Sequence, residues 1–157
     1  MRIRVANSGD KQVLIRLLAG PHVDEKEKYS KRVQQEEEYK NPKETIEKSM
    51  KDFLSDSKYL VFIAFDPEEA LGCIVGQVKQ KPHKTHEREG YVEDWCVINE
   101  HRSKGVGSAL FEKLVAEFRK LGCMHLALDT YAENANAIKI YHKKGFVDRL
   151  ITMKKNL

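Results

Sequence analysis

The stretch "HRSKGVGSALFEKL", residues 101–114, sets Gly105 and Gly107 between a basic run and an apolar pattern typical of a helix. The amides in the first turn of a helix have no partners within the helix, and the helix dipole makes its start electropositive. Glycines there let an anion approach the main chain without meeting a Cβ atom. The loop therefore predicts either a cradle for a diphosphate or a plain turn in which glycine only allows a tight connection.

The spacing of the loop excludes two common phosphate-binding motifs. A P-loop requires Gly-x-x-x-x-Gly-Lys-Ser/Thr, which this chain lacks. A dinucleotide fingerprint requires a third small residue where this chain has Leu110. What remains is Arg102-x-x-Gly105-x-Gly107, placed directly between a predicted strand and a predicted helix.

Length and composition favour one globular domain, 1–157. The chain has 41% hydrophobic residues, a mean hydropathy of −0.59 and a net charge of +4. No apolar run approaches the roughly 18 to 20 residues that a membrane span needs, and the N-terminal stretch lacks the apolar region of a signal peptide. The charge is too small for a dedicated nucleic-acid-binding protein. We therefore expect a cytoplasmic protein that binds neither membrane nor nucleic acid.

The three cysteines, Cys73, Cys96 and Cys123, lie far apart in apolar surroundings. This pattern is typical of buried thiols in a reducing compartment and fits neither a disulfide framework nor a zinc site. No other cluster of His, Cys and Asp has the spacing of metal ligands, so we expect no metal.

Hydrophobic periodicity predicts a mixed α/β domain in the order β-α-α-β-β-β-α-β-α-β. The polar stretch 24–40 is either a solvated helix or a substrate lid, in which Tyr29, Tyr39 and the acidic run 36–38 would face an incoming cation. The predicted strands are 2–7, 58–66, 70–80, 90–99, 124–131 and 146–153, and the predicted helices are 8–20, 41–56, 105–122 and 134–145.

Two motifs give the chain a clear resemblance to the GCN5-related N-acetyltransferase (GNAT) superfamily. The first is that family's loop Gln/Arg-x-x-Gly-x-Gly/Ala, matched by Arg102, Gly105 and Gly107. The second is its pattern Asn-x-x-Ala-x-x-x-Tyr-x-x-x-Gly-Phe, matched by Asn134, Ala137, Tyr141, Gly145 and Phe146. The resemblance is strong over 58–153 and weak over 21–57. It implies a central, mostly antiparallel sheet flanked by helices.

The resemblance also implies a site for acetyl-CoA as co-substrate. Asn134 would hydrogen-bond the arm of that co-substrate, and the main chain of Cys96, Val97 and Ile98 would pair with the pantetheine as an added strand pairs with a sheet edge. The pyrophosphate would be held mainly by main-chain amides of Arg102, Ser103, Lys104, Gly105, Val106, Gly107 and Ser108.

Two further residues are candidates for catalysis. By resemblance, Tyr141 would protonate the leaving thiolate; alternatively it is a core aromatic on an amphipathic helix. The stretch "YVEDWCV" resembles a strand of diamine and thialysine acetyltransferases, whose glutamate is matched by Glu93. We expect Glu93 to be the base or to order a water, with Asp94 in reserve and on the opposite face of the strand. The alternative for Glu93 is a salt bridge to a neighbouring strand.

The expected reaction is direct transfer of acetyl to a primary amine in a ternary complex. The acceptor is either a small amine or polyamine, or a peptide or protein amino group. The carboxylates slightly favour the small amine or polyamine. A catalytically silent acyl-CoA-binding module is the alternative, although it would need neither Glu93 nor Tyr141. His83 and His86 belong to a predicted loop, solvated or reaching the site. By resemblance, a homodimer is a further expectation.

Overall fold

The computed structural model describes residues 1–26, 31 and 42–155. The strands are β1 Arg2–Val5, β2 Tyr59–Asp66, β3 Glu69–Gln80, β4 Arg88–Val97 and β5 His125–Ala127. The helices are α1 Lys11–Lys26, α2 Pro42–Ser55, α3 Val106–Lys120 and α4 Ala135–Lys143, with short 3-10 turns at Ser8–Asp10 and Asn99–His101. The mixed α/β fold with a mostly antiparallel sheet is confirmed.

The five strands form one sheet in the order β1-β2-β3-β4-β5. All neighbours are antiparallel except β4 and β5, which are parallel and pair only from Glu89 with His125 to Tyr91 with Ala127. Strand β4 continues to Val97 past the end of this pairing. The sheet is therefore open on the β5 side of β4 over the stretch where the sequence predicts cofactor binding.

Each face of the sheet carries its own hydrophobic core. Helix α3 covers one face with a stripe of buried side chains, namely Val106, Leu110, Phe111, Leu114 and Phe118. Leu14, Leu17 and Leu18 of α1, together with Met50 of α2, pack on the other. The stripe does not include Leu121, which is 39% exposed. Leu121 lies after the last helical turn, so it leaves the stripe.

Several predicted boundaries are wrong. Helix α1 does not stop at Gly20, because helical hydrogen bonding within α1 continues to Lys26. The 3-10 turn Ser8–Asp10 that precedes it is capped by the side chain of Asn7, and Oδ2 of Asp10 accepts a hydrogen bond from the Asn7 amide. The predictions on 27–30 and 32–41, including the lid, lie outside the described residues.

The predicted last strand, 146–153, is also wrong. These residues form no strand, and Val147, Leu150, Ile151 and Met153 are all more than 70% exposed. The stretch has the β-branched and apolar residues of a strand, but a strand needs a partner edge, and β5 is only three residues long. Strand β5 is likewise shorter than the predicted 124–131.

Helix α3 lies close to the sheet because two strand residues that face it are glycines. A Cβ atom built on Gly90 would lie 2.6 Å from the Phe118 ring, and one built on Gly76 would lie 2.6 Å from Leu114 Cδ1. Both distances are below van der Waals contact. The absence of these two Cβ atoms therefore fixes how near the helix lies to β3 and β4.

Replacing Gly90 by alanine should lower the free energy of unfolding by about 1–3 kcal/mol, because the added methyl group overpacks this contact. Urea denaturation would measure the loss. The same substitution in a Phe118→Leu background should cost less, since leucine leaves room for the methyl group. Equal losses in the two backgrounds would contradict a direct contact.

Candidate active site

The glycine loop turns sharply at the end of β4. Ser103 and Gly105 both adopt left-handed backbone angles, with φ of 61° and 85°. For Ser103 this conformation is strained, and such strain is common at ligand-binding turns. The Nε atom of Arg102 donates a hydrogen bond to the carbonyl of Val97 at 3.0 Å. The side chain of Arg102 thus anchors the loop to the strand it follows.

The start of α3 is shaped to receive an anion. Its N-cap is Gly105, which contributes no side-chain cap, and a Cβ atom at that position would meet nothing within 4 Å. The space beside Gly105, next to the first turn of the helix, is therefore open. Val106 is buried in the core, so it can contribute only its main-chain amide. These residues fit a diphosphate group bound by main-chain hydrogen bonds and the helix dipole.

Gly107 lies beside the side chains at the end of β4. A Cβ atom on Gly107 would lie 3.4 Å from Trp95 Nε1 and 3.4 Å from Val97 Cγ2. Alanine would therefore fit here without moving its neighbours, whereas a branched side chain would either crowd Trp95 or extend outward. The glycine is not required for folding of the turn, which is consistent with a role in access.

A β-bulge interrupts strand β4 at Glu93. Val75 of β3 lies opposite Asp94 and Gly76 lies opposite Val92, so Glu93 is the extra residue. Val92 and Trp95 both pack against the α3 side of the sheet, whereas Cys96 packs on the α1 and α2 side. The bulge therefore reverses the alternation of side chains between Val92 and Trp95.

Because of this bulge, Glu93 and Asp94 lie on the same face, that of α1 and α2, and the expectation that they point to opposite faces is wrong. The position of their neighbours agrees. Glu93 Oε1 lies 4.0 Å from Nζ of Lys79 on β3, and Asp94 lies opposite Val75, which is buried in the core on that face. Cys96 packs against the same core and so shares this face as well.

The pKa of Glu93 is raised above its ordinary value. Burial is the main cause, and the charges of Asp94 and Asp129 add to it, while the ammonium groups of Lys79 and Lys58 oppose it. The side chain is 27% exposed. The salt bridge to a neighbouring strand is present, but at 4.0 Å it is loose and leaves the carboxylate accessible to a second partner.

Tyr141 lies on the other side of β4. Its ring centroid is 6.1 Å from that of Trp95 and 6.0 Å from that of Phe146. The residue is half-buried, as are Ala137 and Ile138 on the same helix face. Tyr141 therefore packs as an aromatic residue beside the open edge of β4 while keeping part of its surface accessible.

Asn134 begins helix α4. Its Oδ1 accepts a hydrogen bond from the amide of Ala137 at 3.2 Å, so the oxygen caps the helix. A contact with a cofactor arm would be made by the amide nitrogen of the same side chain. Asn134 therefore has a structural role as the helix cap in addition to its predicted binding role.

Two pairs of residues that are distant in sequence meet in the fold. The thiols of Cys73 and Cys96 lie 3.5 Å apart on opposed positions of β3 and β4, and Cys96 Sγ also lies 3.1 Å from the Leu17 carbonyl oxygen. Neither of these two thiols forms a disulfide. The ring of His86 packs edge-on against His125, with centroids 4.8 Å apart, so this histidine contacts the start of β5.

Three residues near Glu93 were missed by sequence reasoning. Lys79, Tyr91 and Asp129 come from β3, β4 and the segment after β5, and only strand pairing brings them together. The only sequence signal for this grouping is the alternation along 70–80, which places Gln77 and Lys79 on one face. That alternation does not identify the partner strand or its register. Among the residues that the structure describes, no group of three or more His, Cys, Asp or Glu side chains is arranged to hold a metal ion.

A sequence model of the Acetyltransferase (GNAT) family matches residues 23–146. The chain belongs to this family, and the resemblance inferred from the two motifs is confirmed. One relative is the N-alpha-acetyltransferase 30 of Xenopus laevis, 34% identical over 95 residues. That match covers 60% of this chain and 34% of the relative, so the chain spans about a third of that protein's length.

Solved structures share the fold at low identity. A point mutant of the BH1408 protein from Bacillus halodurans superposes with a TM-score of 0.83, at 24% identity, over 100% of this chain and 99% of the other. The protein AAC(6')-Iy, in complex with the bisubstrate analog CoA-S-monomethyl-acetylneamine, gives a TM-score of 0.73 at 19% identity, over 99% of this chain and 98% of the other. No helix within the described ranges is long and apolar enough to cross a membrane.

Replacing Glu93 by glutamine should stabilise the fold at neutral pH and not in acid. Since the folded-state pKa is raised, ionised Glu93 destabilises the fold above that pKa, and the cost is absent below the unfolded value of about 4.3. We expect Tm to rise by about one to three degrees at pH 7.5 and to stay unchanged near pH 4.

Glu112→Gln is the matched control, because that side chain is 75% exposed. Melting curves of the parent and both variants at the two pH values would test the expectation. A Glu93→Gln protein less stable than the parent at pH 7.5 would show that the ion pair with Lys79 outweighs burial.

Proposed function

We propose that this protein is an acetyl-CoA-dependent N-acetyltransferase that transfers an acetyl group directly to a primary amine. The observation that carries the proposal is the carboxylate of Glu93, with its side chain 27% exposed, at the bulge of β4, the strand that leads into the glycine loop 102–108. A silent acyl-CoA-binding module would need the loop but neither Glu93 nor Tyr141. The presence of both favours an enzyme.

Acetyl-CoA is proposed to lie along the open edge of β4. Its pyrophosphate binds the main-chain amides between Arg102 and Ser108, where Gly105 leaves open space. Its pantetheine arm pairs with the main chain of residues 96–98, beyond the last residue pair between β4 and β5. Asn134, the N-cap of α4, contributes a hydrogen bond to the arm.

The reaction forms a bond between the acceptor nitrogen and the acetyl carbon and breaks the bond between that carbon and sulfur. An alkyl ammonium with a pKa of about 10.4 is neutral in only about one molecule in a few thousand at pH 7, so its proton must be removed. Glu93 takes this proton, directly or through a water, and its raised pKa makes it a stronger base than an exposed carboxylate. Asp94 remains the reserve candidate.

The developing oxyanion and the leaving thiolate need donors. A main-chain amide of strand 91–98 stabilises the oxyanion, and the bulge residue is the strongest candidate because a bulge removes one amide from the sheet ladder. Tyr141 gives its proton to the thiolate sulfur from the opposite side of β4, where it packs on Trp95. Base and acid would thus act from the two faces of the strand.

The acceptor is a small cationic amine or polyamine, or the amino group of a peptide. The carboxylates on the α1 and α2 face support the first, and the likeness to an N-alpha-acetyltransferase supports the second. In this proposal the enzyme is cytoplasmic, requires no metal and binds neither nucleic acid nor a membrane. A homodimer stays a prediction, for which the exposed apolar side chains of 146–153 offer a surface.

The experiment that tests the proposal is release of free CoA thiol from acetyl-CoA against a panel of polyamines, diamines and peptides with free amino termini. Mass spectrometry of the acceptor would show a single added acetyl group. Tight binding of acetyl-CoA without transfer to any acceptor would favour the silent module.

Acetyl-CoA should raise the Tm of the protein, because it binds the folded loop and strand and not the unfolded chain. Gly107→Val should weaken this binding by more than about tenfold, since the branched side chain occupies the path beside Trp95 and Val97. Titration calorimetry would measure the affinity of each protein for acetyl-CoA. Ala116→Val, an exposed position on the same helix, is the control and should bind like the parent. Equal affinities in all three proteins would disprove the cradle.

Tyr141→Phe keeps the ring packed against Trp95 and removes the hydroxyl proton. We expect kcat to fall roughly 10- to 1,000-fold with acetyl-CoA affinity nearly unchanged, as for the loss of one acid group. Single-turnover kinetics beside equilibrium binding would separate the two effects. Parental turnover in this variant would leave Tyr141 as a packing residue only.

A further inference from the structure

Lys79 is fixed beside the bulge by two neighbours on β4. Its Nζ lies 2.9 Å from the centroid of the Tyr91 ring and 4.0 Å from Glu93 Oε1. An ammonium over the face of an aromatic ring is attracted by the ring's negative face. The lysine therefore has a defined place between the ring and the carboxylate instead of extending into water.

The Tyr91 ring is itself held on its far end. Its hydroxyl hydrogen-bonds to Asp129, in the segment after β5, and burial together with this bond raises the pKa of Tyr91 well above its usual range. Tyr91 also forms the last residue pair between β4 and β5, with Ala127. A chain of contacts thus runs from Asp129 through Tyr91 and Lys79 to Glu93.

The charges facing Glu93 come from every element around it. Asp94 on β4 and Asp129 after β5 disfavour its ionised form, and so does burial. Lys79 on β3 is the cation that favours ionisation most, ahead of Lys58. Lys58, just before β2, is engaged with Asp56 at 3.0 Å. Tyr59, the first residue of β2, and Tyr91 on β4 are further titratable groups that interact with Glu93.

We propose that Lys79 is a positioning residue for acetyl transfer, which keeps the Glu93 carboxylate ionised and oriented while the Tyr91 ring holds the lysine back from close contact. The inference rests on the function proposed above. A lysine in close contact would occupy a carboxylate oxygen and compete with the acceptor. At 4.0 Å the charge still acts, and the oxygen remains available to a water or an amine proton.

The test compares Lys79→Met with Lys79→Arg and with the control Lys81→Met. Methionine keeps an apolar stem against Tyr91 and removes the charge, whereas arginine retains it. Lys81, two residues after Lys79, pairs with Glu89 and lies outside the proposed machinery. Melting curves of all variants would show that each is folded before rates are compared.

We expect the acidic limb of the kcat/KM profile to move to higher pH by about half a unit to one unit in Lys79→Met, because Glu93 then protonates more readily. Lys79→Arg should restore most of the parental profile, and Lys81→Met should leave it unchanged. In a Glu93→Gln background, Lys79→Met should produce no further shift of the limb.

An unshifted limb in Lys79→Met would overturn the proposal, and so would equal defects in Lys79→Met and Lys79→Arg, which would indicate packing alone. A ¹³C NMR titration of the Glu93 carboxyl group gives a readout that needs no turnover. If the parent acetylates no acceptor, the proposed function fails, and this titration still decides whether Lys79 governs the ionisation of Glu93.

Discussion

The close approach of helix α3 to β3 and β4 is the constraint on which the site depends. Gly76 and Gly90 let Leu114 and Phe118 contact the strand backbones. The helix is rigid over Val106–Lys120, so fixing its middle against the sheet also fixes its first turn. That turn and its electropositive amides then lie at the end of β4. Core packing on one face of the sheet therefore sets the position of the glycine loop 102–108.

The bulge in β4 provides the second requirement, a change of side-chain direction within one strand. Before it, Val92 fills the core under α3; after it, Trp95 does so. A regular strand that buried both would need an even spacing between them. The extra residue resolves this conflict and places Glu93 and Asp94 together on the other face. One irregularity thus separates a carboxylate face from an aromatic face on the same strand.

Burial of Glu93 illustrates how stability and proposed chemistry oppose each other. A partly buried carboxylate beside Asp94 and Asp129 destabilises the fold when it is ionised, yet those surroundings make it a better proton acceptor. Lys79 reduces the free-energy cost of ionised Glu93 without cancelling it, since the lysine is held over the Tyr91 ring. The residues that tune this carboxylate come from three strands and a following segment.

The sequence alone determined the family, the mixed sheet, the glycine loop and the candidates Glu93 and Tyr141, because each depends on a local pattern of spacing and residue type. It determined neither the face on which Glu93 lies nor its pairing with Lys79. It also predicted a strand at 146–153 that does not form. Those features depend on register, on a single inserted residue and on the availability of a partner edge. Hydrogen bonds between strands distant in the chain set all three, so only the tertiary structure decided them.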